Sequence, residues 1–177
     1  RLVEKKLSDL FSAGQIPGFI HLSNGQEAVS VGVMAATNQE DTIASTHRGH
    51  GHSIAKGLAL EGFFGEVLGK ESGLCRGHGG SMHVADFSKG MLGANGIVAA
   101  GIPIAMGSAL AHKTLGRESI AIAFFGDGAL AEGVLHESLN MSRLLNLPIL
   151  FVCENNGWSE FSRSDHQITF NSRDFVS

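Results

Sequence analysis

Residues 118–156 read ESIAIAFFGDGALAEGVLHESLNMSRLLNLPILFVCENN, and this stretch decides the fold. It contains two continuously apolar runs, ESIAIAFF and LPILFVC, and the segment between them has the apolar spacing of a helix. Strands of this kind belong to parallel sheets that are covered on both faces, and a strand–helix–strand unit has a right-handed crossover. We therefore expect an α/β fold, a parallel sheet with helices on both faces.

The polar residues that follow the two apolar runs predict a ligand site. In a right-handed unit both strands end at the same edge of the sheet, where open α/β proteins bind ligands. Asp127 follows the first strand, and Asn155 and Asn156 follow the second. Carboxylate and amide oxygens suit Mg²⁺ or Ca²⁺ better than zinc.

The residues on either side of Asp127 are small. Gly126, Gly128 and Ala129 let a phosphate approach the backbone at the start of a helix, whose N–H groups favour anions. Because Mg²⁺ commonly takes few protein ligands and shares substrate phosphates, the pattern predicts a Mg²⁺–diphosphate site. The alternative is a plain strand-to-helix turn in which Asp127 caps the helix. The asparagine pair at the matching end of the next strand favours the ligand site.

Composition and charge narrow the class of protein. A length of 177 residues suffices for one domain with a hydrophobic core. The net charge of −4 gives no basic surface for nucleic acid, and no apolar run reaches the roughly 18 residues that span a bilayer. The two cysteines, Cys75 and Cys153, lie outside any CxxC pattern, which favours a reducing compartment over a disulfide framework.

The rest of the chain alternates helical patterns with short extended segments. We expect helices at residues 1–13, 23–36, 53–58, 60–69, 97–114 and 129–146, and a short strand at 41–46. Asn24 is the expected N-cap of the second helix, with Glu27 three residues on. Residues 75–96 read as a long glycine-rich loop, and loops of this length are usually functional or disordered. We expect one domain over residues 1–177, incomplete at its C-terminus.

The spacing Gly-Asp-Gly, 26 residues, Asn-Asn resembles the thiamine diphosphate motif of thiamine-dependent enzymes. Five other segments resemble the α subunit of the 2-oxoacid dehydrogenase E1 component: GFIHLSNGQEAVSVG, STHRGHGHSIAKG, GHGGSMHVAD, GANGIVAAGIPIAMGSALA and FVCENN. The segment STHRGHGH is most similar to the acetoin dehydrogenase and bacterial pyruvate dehydrogenase-type members. The resemblance implies the thiamine diphosphate-binding fold and an oxidoreductase that cleaves acetoin or a small 2-oxoacid such as pyruvate.

The resemblance also implies a site for Mg²⁺ and the diphosphate. Asp127 and the side chain of Asn156 would ligate Mg²⁺, with the backbone carbonyl of Trp158 as a third ligand. Family members often carry Tyr at this last position, and a backbone ligand tolerates Trp. Gly128 and Ala129, next to Gly126, would offer backbone N–H groups to the diphosphate.

Four more residues would contact the cofactor by the same resemblance. Arg48 would pair with the diphosphate, which suits a planar, permanently charged guanidinium; a solvated surface arginine is the alternative. His47, where many relatives have Tyr, would lie beside it. Gly96 and Val98 would touch the aminopyrimidine ring through their backbone.

Three further residues would serve the reaction. His21 would lie near the reacting carbon of the thiazolium ring, and Phe19 would border the substrate pocket. His50 would order the active-site loop or relay protons. An ordinary structural role is the alternative for each of these residues. A zinc site formed by His47, His50 and His52, with the last two on one strand face, is a weaker alternative because no downstream Asp or Cys pairing supports it.

The resemblance implies that the site is shared between subunits. The activating Glu would come from a β subunit in an α2β2 heterotetramer, so Glu27 is not assigned that role. The acyl group would pass to a lipoyl-bearing acyltransferase, E2, in the bacterial cytoplasm or, in a eukaryote, the mitochondrial matrix. Relatives continue through a loop with another phosphate-binding His, and no segment here matches that loop.

Two other functions stay open on the sequence. One is another thiamine diphosphate enzyme, such as a transketolase-like amino-terminal subunit. The other is a non-catalytic module that binds a Mg²⁺-nucleotide. The ordered segments HLSNGQEA and HRGHGH favour the E1 α subunit over the transketolase-like alternative.

Overall fold

The structure, a computed structural model, describes residues 1–169, and its centre is a four-stranded parallel sheet in the order β2–β1–β3–β4. The strands are β1 Thr42–Ala44, β2 Met91–Gly93, β3 Ala121–Gly126 and β4 Ile149–Glu154, and a hairpin of β5 Trp158–Ser159 and β6 Ser162–Arg163 follows. The helices are α1 Leu2–Ser12, α2 Glu27–Ala35, α3 His50–Ala55, α4 Leu60–Val67, α5 Gly101–Thr114 and α6 Gly133–Leu144. Because the strands are parallel, their carboxyl ends share one edge of the sheet.

Strand β3 lies between β1 and β4, and its side chains alternate between two hydrophobic cores. Ile122 and Phe124 join the core that α1 and α4 cover. Ala121, Ala123 and Phe125 join the core that α5 and α6 cover. All five side chains are buried. The prediction of a parallel sheet with helices on both faces is therefore confirmed.

Strand β4 is the edge of this sheet and is less buried than its continuously apolar sequence predicts. Leu150 is 42% exposed, and Cys153 is exposed as well. Within residues 1–169, no helix buries these two side chains. Within the described residues, the predicted burial on both faces is met by β3 and only partly by β4, because no described helix covers Leu150 and Cys153.

The glycine-rich residues 75–96, expected as a loop, contain regular structure. They form β2 and two short 3₁₀ turns, Gly80–Met82 and Phe87–Lys89. Ile43 of β1 pairs with Met91 of β2. A strand of three residues has too few alternating positions to show a period, so the sequence did not reveal it.

The carboxylate of Glu66, on α4, organises the first part of this segment. It is fully buried and accepts hydrogen bonds at 2.6 to 3.0 Å from the backbone N–H groups of Cys75, Gly77, Gly79 and Gly80. Burial raises the pKa of the Glu66 carboxyl, but the four hydrogen bonds outweigh burial and hold the pKa below its ordinary value. The glycine-rich segment thus closes around an anion that the protein supplies.

The second helix starts later than expected. Helix α2 begins at Glu27, and Gln26 occupies its N-cap position, so Asn24 is not the cap. The Glu27 carboxylate accepts the N–H of Gly25 at 2.8 Å and pairs with Arg1 at 2.8 Å. The charge of Glu27 therefore stabilises the turn before the helix.

Two other local predictions also need correction. The polar segment HRGHGH contributes the first turn of α3, so His50 and His52 lie on a helix and not on a strand face. After β3, a 3₁₀ turn at Asp127–Ala131 precedes α6, which begins at Gly133. No side chain caps this 3₁₀ turn, so Asp127 does not act as a helix cap.

Candidate functional site

A cavity of about 590 Å³ opens at the carboxyl edge of the sheet. Its walls come from the segments that follow β1, β3 and β4, together with residues 95–99 before α5. The predicted site residues that line it are His21, His47, Arg48, Gly96, Val98, Gly126, Asp127, Gly128, Ala129, Asn156 and Trp158. The structure therefore brings together most of the residues that the sequence selected.

Asp127 connects the ends of β3 and β4. Its carboxylate is 1% exposed, and it accepts the N–H of Asn156 at 3.3 Å and the hydroxyl of Ser164. The side-chain oxygen of Asn156 in turn accepts the N–H of Trp158 at 2.8 Å. The carboxylate and the amide oxygen thus lie in one hydrogen-bonded turn beside the cavity.

The two glycines that flank Asp127 differ in their surroundings. A Cβ atom added at Gly126 would meet nothing within 4 Å, so the cavity wall is open there. A Cβ atom at Gly128 would lie 2.5 Å from the hydroxyl oxygen of Ser159 on β5. Gly128 is therefore required by the packing of the hairpin, and Gly126 leaves room for a ligand.

A cluster of basic side chains, Arg48, His21 and His47, also lines the cavity. Arg48 is half-buried and donates a hydrogen bond at 2.6 Å to the carbonyl of Leu22. The rings of His21 and His47 meet edge to face, with their centroids 4.9 Å apart. Burial lowers the pKa of His21, and the Arg48 charge lowers it further. Burial, with His21 and Arg48, also lowers the pKa of His47, so both rings are neutral at pH 7.

The segment before α5 forms the third wall. Asn95 accepts the N–H of Ile97 at 2.9 Å through its side-chain oxygen. Ala99 has a φ of 63°, a left-handed conformation that is uncommon for a residue with a side chain. The backbone of Gly96 and Val98 is thereby held against the cavity.

Two predicted residues lie outside the cavity lining. Phe19 is 77% exposed on the surface of the described chain. His50 is fully buried, and its two ring nitrogens contact Glu4 at 2.9 Å and Ser81 at 2.8 Å. Glu27, which was not assigned a role, also lies outside the lining, where its hydrogen bond with Arg1 lowers its pKa to about 2.

A sequence model described as "Dehydrogenase E1 component" matches residues 1–172. The chain belongs to this family. An α subunit of acetoin:2,6-dichlorophenolindophenol oxidoreductase from Bacillus subtilis is 55% identical over 89% of this chain and 47% of its own length. The pyruvate dehydrogenase E1 component subunit alpha of Rhizobium meliloti is 39% identical over 98% of this chain and 51% of its own length. The E1 chain thus spans about half the length of these relatives.

A solved structure supports the fold. An enzyme of Mycobacterium smegmatis described as thiamin diphosphate-dependent aligns with 78% of the E1 chain and 23% of its own, with a TM-score of 0.50 and 16% identity. At this identity the likeness concerns the fold alone. Within residues 1–169, no helix has the length and apolar character needed to cross a membrane.

The structure adds a group to the E1 chain's cavity that the sequence did not indicate. Glu154, at the end of β4, lines the cavity and lies 3.4 Å from His52. His52 also contacts the hydroxyl of Ser45 at 2.7 Å and stacks on Phe124 at 3.9 Å. These groups come from α3, β3, β4 and the residue that follows β1, so no local pattern could have predicted the contacts.

The described part of the E1 chain offers no cluster of three or more His, Cys, Asp or Glu side chains that could hold a metal. In particular, His50 and His52 engage separate partners. A cation at the cavity would depend on the mixed oxygen set of Asp127, Asn156 and Trp158. Such sets suit Mg²⁺, which shares its shell with substrate phosphates.

Proposed function

We propose that this chain forms the diphosphate- and metal-binding part of the α subunit of a thiamine diphosphate-dependent E1 enzyme. The observation that carries the proposal is the single cavity that gathers Asp127, Asn156 and Arg48 around the open backbone at Gly126. One side offers oxygen ligands and the other offers a fixed positive charge. A Mg²⁺-bound diphosphate needs both.

The residues present fit Mg²⁺. Asp127 and Asn156 each have oxygens that accept hydrogen bonds within the turn, and a carboxylate has about four lone-pair sites, so capacity is left for a cation. We propose that Asp127, the side chain of Asn156 and the backbone carbonyl of Trp158 hold the metal. Asp127 is buried, and a buried carboxylate needs a cation or hydrogen-bond donors beside it.

The residues present also fit the diphosphate. Arg48 is held by Leu22 with its guanidinium in the cavity wall, so little side-chain entropy remains to be lost on binding. The backbone of Gly126, Gly128 and Ala129 lines the same cavity without a side chain in the way at Gly126. Gly96 and Val98 would contact the aminopyrimidine ring from the third wall.

When bound, thiamine diphosphate would supply the carbon nucleophile and the electron sink for cleavage next to a carbonyl group. The chain's own contribution to proton handling would be His21. Its lowered pKa keeps the ring neutral near pH 7, so one nitrogen can accept a proton and the other can donate one. The His47 ring packs edge-on against the His21 ring.

We propose acetoin as the preferred substrate, with pyruvate second. The relatives named for acetoin are 55% and 52% identical to this chain, and the pyruvate dehydrogenase subunit of Rhizobium meliloti is 39% identical. Phe19 would border the substrate only where a second subunit closes the pocket, because it is exposed on this chain.

We propose that a β subunit covers the cavity. Ile97 is 71% exposed and Phe161 is 89% exposed, and both line the cavity together with the half-exposed Val98 and Trp158. Apolar side chains that are exposed together at a ligand site are typical of an interface. An α2β2 assembly in the cytoplasm, with acyl transfer to a lipoyl-bearing E2, completes the proposal.

Titration calorimetry tests the cofactor. Thiamine diphosphate should bind the protein with a Mg²⁺-dependent affinity, and ATP with Mg²⁺ should give no binding heat. Binding of ATP alone would contradict the proposal and support a nucleotide-binding module.

An assay of the protein assembled with its β subunit tests the substrate. Acetoin, pyruvate and 3-methyl-2-oxobutanoate would be compared with 2,6-dichlorophenolindophenol as electron acceptor. We expect kcat/KM to be highest for acetoin. A preference for the branched substrate would exclude the small-substrate assignment.

A further inference from the structure

Glu4 is a buried acidic residue on α1 that lies outside the cavity lining. Its side chain is close to 3% exposed, although α1 is a surface helix. A carboxylate is costly to bury without partners. One oxygen accepts the backbone N–H of Ser23 at 3.0 Å, and the other lies 2.9 Å from Nδ1 of His50.

His50 extends these contacts to a third segment. Its Nε2 lies 2.8 Å from the hydroxyl oxygen of Ser81, and its ring packs edge-on against Phe63. Because a carboxylate only accepts hydrogen bonds, Nδ1 of His50 donates to Glu4, and a neutral ring then accepts the Ser81 hydroxyl at Nε2. Glu4, His50 and Ser81 are all buried, so water does not compete for these bonds.

Each segment held by Glu4, His50 and Ser81 carries a residue of the cavity wall. His21 precedes Ser23 by two positions, Arg48 precedes His50 by two, and Met82 follows Ser81. The Arg48 guanidinium also binds the carbonyl of Leu22, next to Ser23. The three wall segments are therefore joined to one another behind the cavity.

We propose that Glu4 is a positioning residue, which sets the relative placement of His21, Arg48 and Met82 through Ser23, His50 and Ser81. This inference rests on the proposed function only in taking thiamine diphosphate as the ligand of the cavity; the contacts of Glu4 do not depend on it. His50 then acts through Ser81 and Glu4, and it does not touch the ligand.

The decisive variant is Glu4→Gln in the assembled enzyme. An amide keeps the shape of the side chain but removes its negative charge, so the hydrogen bonds to Ser23 and His50 are weakened even if the His50 ring changes tautomer to keep its contact. We expect KM for thiamine diphosphate to rise about tenfold, in line with one lost charged hydrogen bond of about 1.5 kcal/mol. We expect kcat at saturating cofactor to stay within about twofold, because every group that lines the cavity is still present.

Asp9→Asn is the matched control, because Asp9 is an exposed acidic residue of the same helix. It should leave both constants unchanged. Ser81→Ala breaks the other end of the connection with a smaller risk to folding, and it should raise KM in the same direction. The double variant Glu4→Gln/Ser81→Ala should be no worse than Glu4→Gln alone, because the two residues act through His50.

An equal KM for Glu4→Gln and Asp9→Asn would overturn the proposal, as would fully additive effects in the double variant. If Glu4→Gln does not fold, the same comparison is made with Ser81→Ala: a KM equal to that of Asp9→Asn would overturn the proposal. A readout without cofactor separates this proposal from the proposed function: the ring NMR signals of His21 should shift in Glu4→Gln and not in Asp9→Asn. Unshifted His21 signals would refute the positioning role even if thiamine diphosphate binds.

Discussion

Two glycine-rich segments of this protein place backbone next to a buried carboxylate, and they do so in opposite ways. Residues 73–80 wrap around Glu66, whose two oxygens take four backbone N–H groups. Residues 126–128 carry their own carboxylate, Asp127, and present their backbone to an open cavity. In the first segment the backbone N–H groups donate to the carboxylate of Glu66. In the second segment the space beside the backbone of Gly126 is open.

The steric surroundings of the glycines follow the same division. A Cβ atom at Gly73 would lie 2.5 Å from the Cα atom of Glu66, and one at Gly77 would lie 2.5 Å from the carbonyl carbon of Gly69. A Cβ atom at Gly126 would meet nothing within 4 Å. Glycine thus serves close packing in the first segment, whereas at Gly126 the space beside the backbone is open.

The largest effect should come from Glu66→Ala. It leaves four backbone N–H groups without their acceptor, and each unsatisfied buried group costs about 1–3 kcal/mol before water or rearrangement compensates. We expect a loss of about 3–5 kcal/mol in the free energy of unfolding, measured by urea titration. Glu61→Ala, at an exposed position of the same helix, is the control and should cost less than about 0.5 kcal/mol.

The second largest effect should come from a pair of glycine substitutions, one in each segment, whose effects on stability should differ. Gly77 has a φ of +75°, and a Cβ atom added there would lie 2.5 Å from backbone, so Gly77→Ala should lower the free energy of unfolding by about 2 kcal/mol. Gly126→Ala should leave stability within about 0.5 kcal/mol and weaken the binding of thiamine diphosphate. Equal stability losses in both variants would remove the distinction between the two segments.

Asp127→Asn should have a moderate effect on folding and a decisive one on the ligand. The amide can keep both contacts, because the Ser164 hydroxyl can accept as well as donate, but the bonds lose their charge, so the free energy of unfolding should fall by about 1 kcal/mol. Mg²⁺-dependent binding of thiamine diphosphate should be abolished, because the only carboxylate of the proposed ligand set is lost. Calorimetry with and without Mg²⁺ measures this, and metal-dependent affinity in the variant would refute the ligand role.

The smallest effects should appear in the pH dependence of stability. His21 and His47 have pKa values below the ordinary 6.5, so the unfolded chain takes up protons first as the pH falls. Stability should therefore decrease as the pH falls through 6.5. The pKa of Glu66 lies below its ordinary 4.5, so its contribution is present above that pH and is lost only in more acidic solution.

Urea titrations from about pH 2 to about pH 8 can resolve the acidic window of Glu66 and the near-neutral window of the histidines. In the variant His21→Gln/His47→Gln, the free energy of unfolding should change less with pH near the ordinary histidine pKa of 6.5. Its decrease in acidic solution, which comes from Glu66, should remain. A slope near neutral pH that persists in this double variant would assign it to another group, such as His112, whose pKa burial also lowers.

The sequence predicted the parts of the fold that have long, continuous patterns. β3 and β4 were expected because each is an apolar run of at least six residues, and the Asp127 and Asn156 positions followed from their ends. Strand β2 was missed, and helix α3, expected at residues 53–58, starts three residues earlier, because elements of three and six residues are too short to show a period. Most of the residues that the resemblance to E1 subunits selected lie in the cavity wall.

Long-range side-chain contacts were beyond the reach of the sequence. Glu66 binds residues nine to fourteen positions away, and Glu4 contacts His50 across 46 positions. Such partners meet only after the sheet and helices pack, so no local spacing encodes them. For the same reason, the sequence placed His50 with the reacting groups, and the structure places it behind the cavity wall.

The contact between Gly128 and Ser159 has a consequence for the shape of the cavity. The β5–β6 hairpin lies against the floor of the cavity at this point, with no space for even a methyl group. The absence of a side chain at residue 128 therefore allows the hairpin to pack closely against this backbone. The same hairpin carries the exposed side chains of Trp158 and Phe161. A methyl group added at residue 128 would push the hairpin away from the backbone and so change the shape of the cavity without changing any charge.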